Sequence, residues 1–193
     1  MIKEPTEYEK KSYTEEEYFA LEAAAEYKSE YRNGQILAMS GGKPSHSRLG
    51  FRIGYLLESE LEGGNCNTYN SDLRVGLPDQ NVYFYPDCSV ICGDFETAEG
   101  RDDVVTNPTL IVEVLSESTE HYDRGEKFAY YRQMPSFQEY VLVNQHKKLV
   151  EVFSRIEDNV WQMRTYDPSN PEIELRSLEI GISLEALYRG IEI

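Results

Sequence analysis

Glu113 stands inside an otherwise apolar run, Pro-Thr-Leu-Ile-Val-Glu-Val-Leu-Ser from Pro108 to Ser116. Apolar residues at both parities of such a run predict a strand covered on both faces. A carboxylate there loses its water, at a cost of several kcal/mol unless it is paired or bound to a metal. Asp87 follows Pro86 and opens a second apolar run, Asp-Cys-Ser-Val-Ile-Cys. Lys127 lies on the helix predicted directly after the Glu113 strand. If the two strands are neighbours, both carboxylates can converge on one divalent cation. Hard cations such as Mg²⁺ or Mn²⁺ take oxygen ligands, and Mg²⁺ keeps several of its waters. A cation held this way steadies a phosphate oxygen and lowers the pKa of an attacking water. A nearby lysine adds positive charge where negative charge develops, or orients the nucleophile. Asp123 and Lys127 are four apart, so both can face one side of the helix.

Each residue also has a plain structural reading. Pro-Asp is a common turn dipeptide, which would make Asp87 a turn residue. Lys127 alone reads as a solvated helix residue, and Asp123 as a helix-start acid favoured by the macrodipole. Glu113 could be half of a structural ion pair, with Lys127 itself as partner. What favours a site is the joint occurrence of the three.

The elements that must hold these residues are legible in outline. Thr14 to Tyr27 reads as a helix opened by a Thr14–Glu17 capping box, with Tyr13 and Tyr18 as a hydrophobic staple. Tyr18, Leu21 and Ala25 form its apolar stripe. Glu30 to Met39 reads as a hairpin turning at Asn33-Gly34. Ser45, a plausible N-cap, starts a helix to about Leu61 whose core face is Leu49, Ile53, Leu56, Leu57 and Leu61. His46 falls near that face at the first turn and points inward. Ser71 to Leu77 and Val82 to Cys92 read as strands, the second with an edge or bulge at Pro86. Val104 to Ser116 contains the central buried strand. Ser118 or Thr119 caps a helix to about Met134, stopped by Pro135. Gln138 to Val143 is a further strand. Lys148 to Arg155 and Val160 to Tyr166 form a hairpin turning near Asp158-Asn159, and a short helix runs from Ser183 to Tyr188. This order predicts an α/β fold, a mixed central sheet flanked by helices.

Composition narrows the class. The chain has 193 residues, 40% of them hydrophobic, enough for one domain spanning 14–193 with a real core. Residues 1–13 are polar and predicted to be flexible. No apolar stretch reaches the roughly 18 residues of a membrane span, so no membrane association is expected. With 19 basic and 35 acidic residues the net charge is −16. That argues against nonspecific nucleic-acid binding, which needs a cationic footprint, while leaving room for a local basic groove. Lys43, Arg48, Arg52, Arg74 and Arg124 could rim such a groove or be scattered surface charges. The three cysteines cannot all pair within one chain. Cys88 and Cys92 lie about 13 Å apart along one strand, too far for a disulfide. All three read as small buried hydrophobes, which suits a reduced, cytoplasmic setting.

Taken together, Tyr-Pro-Asp-Cys-Ser-Val-Ile-Cys-Gly (85–93), the Glu113 run (108–116), Ser118 to Arg132 and Glu-Tyr-Val-Leu-Val (139–143) resemble the PD-(D/E)XK phosphodiesterase superfamily. Within it the chain looks most like the Uma-type putative restriction endonuclease family. The resemblance extends back to Tyr31–Ile36 and the His46 helix and covers roughly residues 14–166. It implies a restriction-endonuclease-like fold and a Mg²⁺- or Mn²⁺-dependent endonuclease acting on DNA. By it, Asp87 and Glu113 are the metal-binding catalytic acids, with Glu30 and His46 lining the site. The superfamily lysine is expected two residues after Glu113, where Leu115 stands, and the resemblance implies that Lys127 supplies it from the next helix. Glu30 also reads as a strand-surface acid and His46 as a helix-start histidine. A homodimer is implied by analogy, since cutting two strands suits two-fold symmetry. The missing lysine at Leu115 and the charge of −16 keep an alternative open, a catalytically inactive nuclease-fold binding or assembly module. A weaker third reading is an acidic mimic of DNA.

Overall fold

The computed structural model describes residues 12–39 and 41–193. Most of the segment expected to be flexible lies outside the described residues. Helix α1 (Glu15–Ala24) opens on the expected box, Thr14 Oγ1 accepting from Glu17 N and Glu17 Oε2 from Thr14 N. It stops short of Tyr27. Tyr18 is buried, but Leu21 is 40% exposed and is not part of an inward stripe. Strands β1 (Ser29–Arg32) and β2 (Gln35–Ala38) form the predicted hairpin. Asn33 and Gly34 both have positive φ, which a two-residue turn matching the strand twist requires. Helix α2 (Pro44–Leu61) buries Leu49, Ile53, Leu57 and Leu61. Its N-cap is Lys43, not Ser45. Pro44 accounts for the shift, because its fixed φ suits the first helical position and its missing N–H would be unpaired there anyway.

The strands build two larger sheets. Strands β4 (Arg74–Leu77), β5 (Val82–Phe84) and β7 (Val104–Val105) join the hairpin in the order β2-β1-β5-β4-β7. The second sheet contains β3 (Cys66–Asn70), β6 (Cys88–Cys92), β8 (Leu110–Leu115), β9 (Glu139–Asn144), β10 (Val150–Glu157) and β11 (Val160–Tyr166). Its order is β11-β10-β9-β8-β6-β3, with β8 parallel to β9 and antiparallel to β6, so the sheet is mixed as expected. The single strand expected over Val82–Cys92 is two strands in different sheets. Pro86 cannot donate to a ladder and restricts the residue before it, so the chain crosses between sheets at Tyr85-Pro86-Asp87.

Strand β8 is buried along its length. Leu110, Val112 and Val114 meet the core under α2; Ile111 and Leu115 join a second core with Phe84, Tyr131 and Tyr140. The predicted helix after β8 is a composite arm. It consists of α3 (Glu120–Tyr122), one π-helical turn (Asp123–Lys127) and α4 (Phe128–Tyr131). Thr119 precedes it without a side-chain cap. A small hairpin, β12 (Glu172–Leu175) with β13 (Ile180–Ser183), was not foreseen. It leads into α5 (Leu184–Tyr188), capped by Ser183. Among the described residues no helix is long and apolar enough to cross a membrane.

The cysteine reading is corrected. Cys66 and Cys92 lie opposite each other in the β3–β6 register and are joined by a disulfide; Cys88 alone is a free, buried thiol. The register of an unpredicted partner strand brought them together. The expectation of a reduced, cytoplasmic setting loses the support it drew from unpaired cysteines.

Candidate active site

The site gathers where the two sheets meet the helical arm. Glu30 comes from β1, Asp87 from the crossover, Glu113 from the middle of β8, and Asp123 and Lys127 from the π-turn. The β6–β8 pairing matches Cys88 with Val112, and its continuation by one residue sets Asp87 opposite Glu113. Asp87 Oδ2 accepts from Val114 N at 2.7 Å and lies 3.4 Å from His46 Nε2. His46 does face inward from the first turn of α2.

Lys127 is the centre. Its Nζ lies 2.8 Å from Glu30 Oε1, 3.0 Å from Glu113 Oε1 and 3.6 Å from Asp123 Oδ1. The side chains of all four are at most 8% exposed, so this is a dry cluster rather than a surface ion pair. The ammonium also stands 5.8 Å from the centroids of Phe84 and Tyr122. Asp123 and Lys127, at the two ends of the π-turn, are both buried. Such widened turns displace the residues beyond them and recur at functional sites. Tyr131, one turn beyond Lys127, donates its hydroxyl to Glu113 Oε1 at 3.1 Å, and Tyr140 donates to Asp123 O at 3.0 Å.

Four carboxylates, those of Glu30, Asp87, Glu113 and Asp123, thus line the site, and three of them, Glu30, Glu113 and Asp123, share one ammonium. Burial pushes the Glu113 carboxyl well above the usual range; Lys127 opposes the shift, while Asp123, Asp87 and Glu30 add to it. Burial likewise raises Asp87, against His46 and the Val114 N–H. Burial pulls Lys127 down, but Glu113, Glu30 and Asp123 outweigh it and hold the ammonium well above its ordinary value. A buried surplus of acids favours bound positive charge, whether protons or a cation.

The donor set suits one particular kind of cation. Among the described residues no group of three or more His, Cys, Asp or Glu is arranged to hold a metal ion. Mg²⁺ commonly uses one or two carboxylates, completed by water and substrate phosphate. Asp87 and Glu113 supply such a pair. Contacts among the described residues engage Oδ2 of Asp87 and Oε1 of Glu113.

The suggested basic rim shrinks. Arg74 is buried against Asp103 at 2.7 Å and Tyr85, and Arg124 pairs with Glu120 at 2.8 Å and Glu151 at 2.5 Å. Arg52 donates to Ala186 O. Sequence reasoning missed Tyr131. Its spacing from Lys127 was visible, but nothing in the sequence aimed its hydroxyl at Glu113.

The family model Uma2, described as "Putative restriction endonuclease", matches residues 15–187. Two uncharacterized proteins of Synechocystis are similar along nearly their whole length. Slr1290 is 37% identical over 176 residues, 91% of either chain. Sll1609 is 35% identical over 167 residues, 86% of this chain and 94% of its own. The fold matches the crystal structure of a putative nuclease belonging to DUF820 from Anabaena variabilis. That match has a TM-score of 0.74 at 17% identity, over 91% of this chain and 97% of that one.

Proposed function

The chain belongs to the Uma2 family of putative restriction endonucleases, and from that premise we propose that it is a divalent-cation-dependent endonuclease hydrolysing DNA phosphodiester bonds. The observation that carries this reading is Lys127 Nζ at 3.0 Å from Glu113, with Asp87 opposite in register. Asp87 and Glu113 would hold Mg²⁺ or Mn²⁺ through their carboxylate oxygens. When bound, such a cation supplies Lewis-acid stabilisation of a phosphate oxygen and a more acidic water.

The remaining roles belong to this chain's own groups. Three carboxylates keep Lys127 protonated, so it acts as a fixed positive charge for the developing negative charge and not as a base. Glu30 holds that ammonium from the opposite sheet. Tyr131 fixes one oxygen of Glu113, and His46 with the Val114 N–H fixes one oxygen of Asp87. Fixed donors of this kind spare reorganisation during reaction. A homodimer, whose two-fold symmetry suits cutting both strands, completes the proposal.

The test is Mg²⁺ and Mn²⁺ calorimetry together with nicking of supercoiled DNA. Wild type should bind and cleave. Asp87→Ala and Glu113→Gln should lose both while keeping the wild-type circular dichroism; full cleavage by either would sink the reading. A second reading, a non-catalytic module of the same fold, has its own support. Lys127 is closed in by three acids, and Leu115 occupies the expected lysine position. It predicts no metal-dependent cleavage of any nucleic acid by wild type, so the same experiment decides.

A further inference from the structure

We propose that Glu22 is a positioning residue for this site, setting Glu30 and Asp87 through Ser29 and Tyr85; the proposal rests on the nuclease reading above. Glu22 lies near the end of α1, and its side chain is 6% exposed. Both its oxygens accept from Ser29 N at 3.1 Å, and Oε2 accepts from Ser29 Oγ at 2.5 Å. Its Oε1 also accepts from the Tyr85 hydroxyl at 2.9 Å. Ser29 is the residue before Glu30. Tyr85 is two residues before Asp87, and its N–H faces Glu30 Oε1 at 3.4 Å.

One carboxylate therefore grips both chain segments at the point where each delivers an acid. Tyr85 links the two levels, with its hydroxyl on Glu22 and its N–H on Glu30. Arg74 Nη2, 3.7 Å from Glu22 Oε1, supplies the counter-charge and also bonds the Tyr85 hydroxyl. Tyr18, from the same helix, donates to Ser29 O at 2.7 Å. A buried carboxylate without this relation to the site is also present. Glu139, 1% exposed, accepts from Ser154 Oγ, Arg176 N, and the N and Oγ of Ser177. None of those partners adjoins a site acid, so Glu139 is the control for a purely structural loss.

Glu22→Gln and Glu139→Gln are compared in the full chain, reading kcat, KM for DNA, Mg²⁺ affinity and Tm. In Glu22→Gln an amide must face donors that need acceptors. We expect its kcat to fall about tenfold or more, because small misplacements of reacting groups are costly. Its KM should change little and its Mg²⁺ affinity should weaken. Glu139→Gln should lower Tm while keeping kcat. A Glu22→Gln protein that loses only Tm, with kcat and Mg²⁺ affinity intact, overturns the proposal. Should that variant fail to fold, Tyr85→Phe removes only the hydroxyl that Glu22 holds and must show the same kcat loss. A wild type that neither cleaves nor binds Mg²⁺ defeats the nuclease reading instead. Glu22 is then judged by acetylation of Lys127, read by mass spectrometry: faster labelling in Glu22→Gln supports positioning, and equal labelling overturns it.

Discussion

Lys127 is one ammonium facing three carboxylates in a buried pocket, and its removal should be felt well beyond catalysis. Lys127→Met would leave those acids without a counter-charge. Breaking a buried pair in this way costs about 3 to 5 kcal/mol, so the urea midpoint should fall sharply; an unchanged midpoint would mean that the cluster is solvated. The proton balance gives a second expectation. Burial raises the Glu113 carboxyl well above 4.5, so the folded state binds this proton more tightly than the unfolded chain. The resulting stability is full below pH 4.5 and is lost as pH rises through the raised folded value. In metal-free buffer Tm should therefore decline above about pH 5, and Glu113→Gln, which cannot titrate, should decline less. A steeper decline in the variant would contradict this. The acids were legible at this scale because a charge inside an apolar run is conspicuous. Tyr131 and Glu22 were not, because tyrosines and glutamates are common and only their aim distinguishes them.

Elements decide which side chains can meet. The hairpin at Asn33-Gly34 was readable from its turn residues, and it carries Glu30 to the site. The π-turn of Asp123–Lys127 was not readable, since it differs from an α-turn by one residue of register and not by composition. Deleting Gly125 should restore regular winding and change how Lys127 sits relative to Asp123, while α4 keeps nearly the same facing because the widened turn had absorbed the extra residue. Helical circular dichroism should persist while Mg²⁺ binding and cleavage disappear. A deletion variant that binds Mg²⁺ normally would show that the widened turn is incidental. The break at Pro86 could be seen as an irregularity, but not as a change of sheet. That depended on β4 and β1 both pairing with β5, which is a matter of long-range contacts.

The whole molecule carries a net charge of −16, and Arg52, Arg74 and Arg124, three of the five basic side chains suggested for a rim, are engaged elsewhere. DNA should therefore be repelled unless a cation sits between the acids and the phosphate. Anisotropy with labelled duplex at about 150 mM salt should detect no binding in EDTA and clear binding with Mg²⁺, read on mixing before turnover; strong binding in EDTA would point to an unrecognised basic face. The sequence by itself determined the α/β class, the main helices and hairpins, and the presence of a buried charge at Glu113. Those features depend on local periodicity, turn chemistry and the cost of a charge among apolar neighbours. Tertiary structure alone decided that the hairpin and the central strands lie in separate sheets, that Cys66 meets Cys92, and that Glu22 reaches both Ser29 and Tyr85. Those contacts join residues far apart in sequence, and their distances depend on strand order and register, which no local pattern encodes.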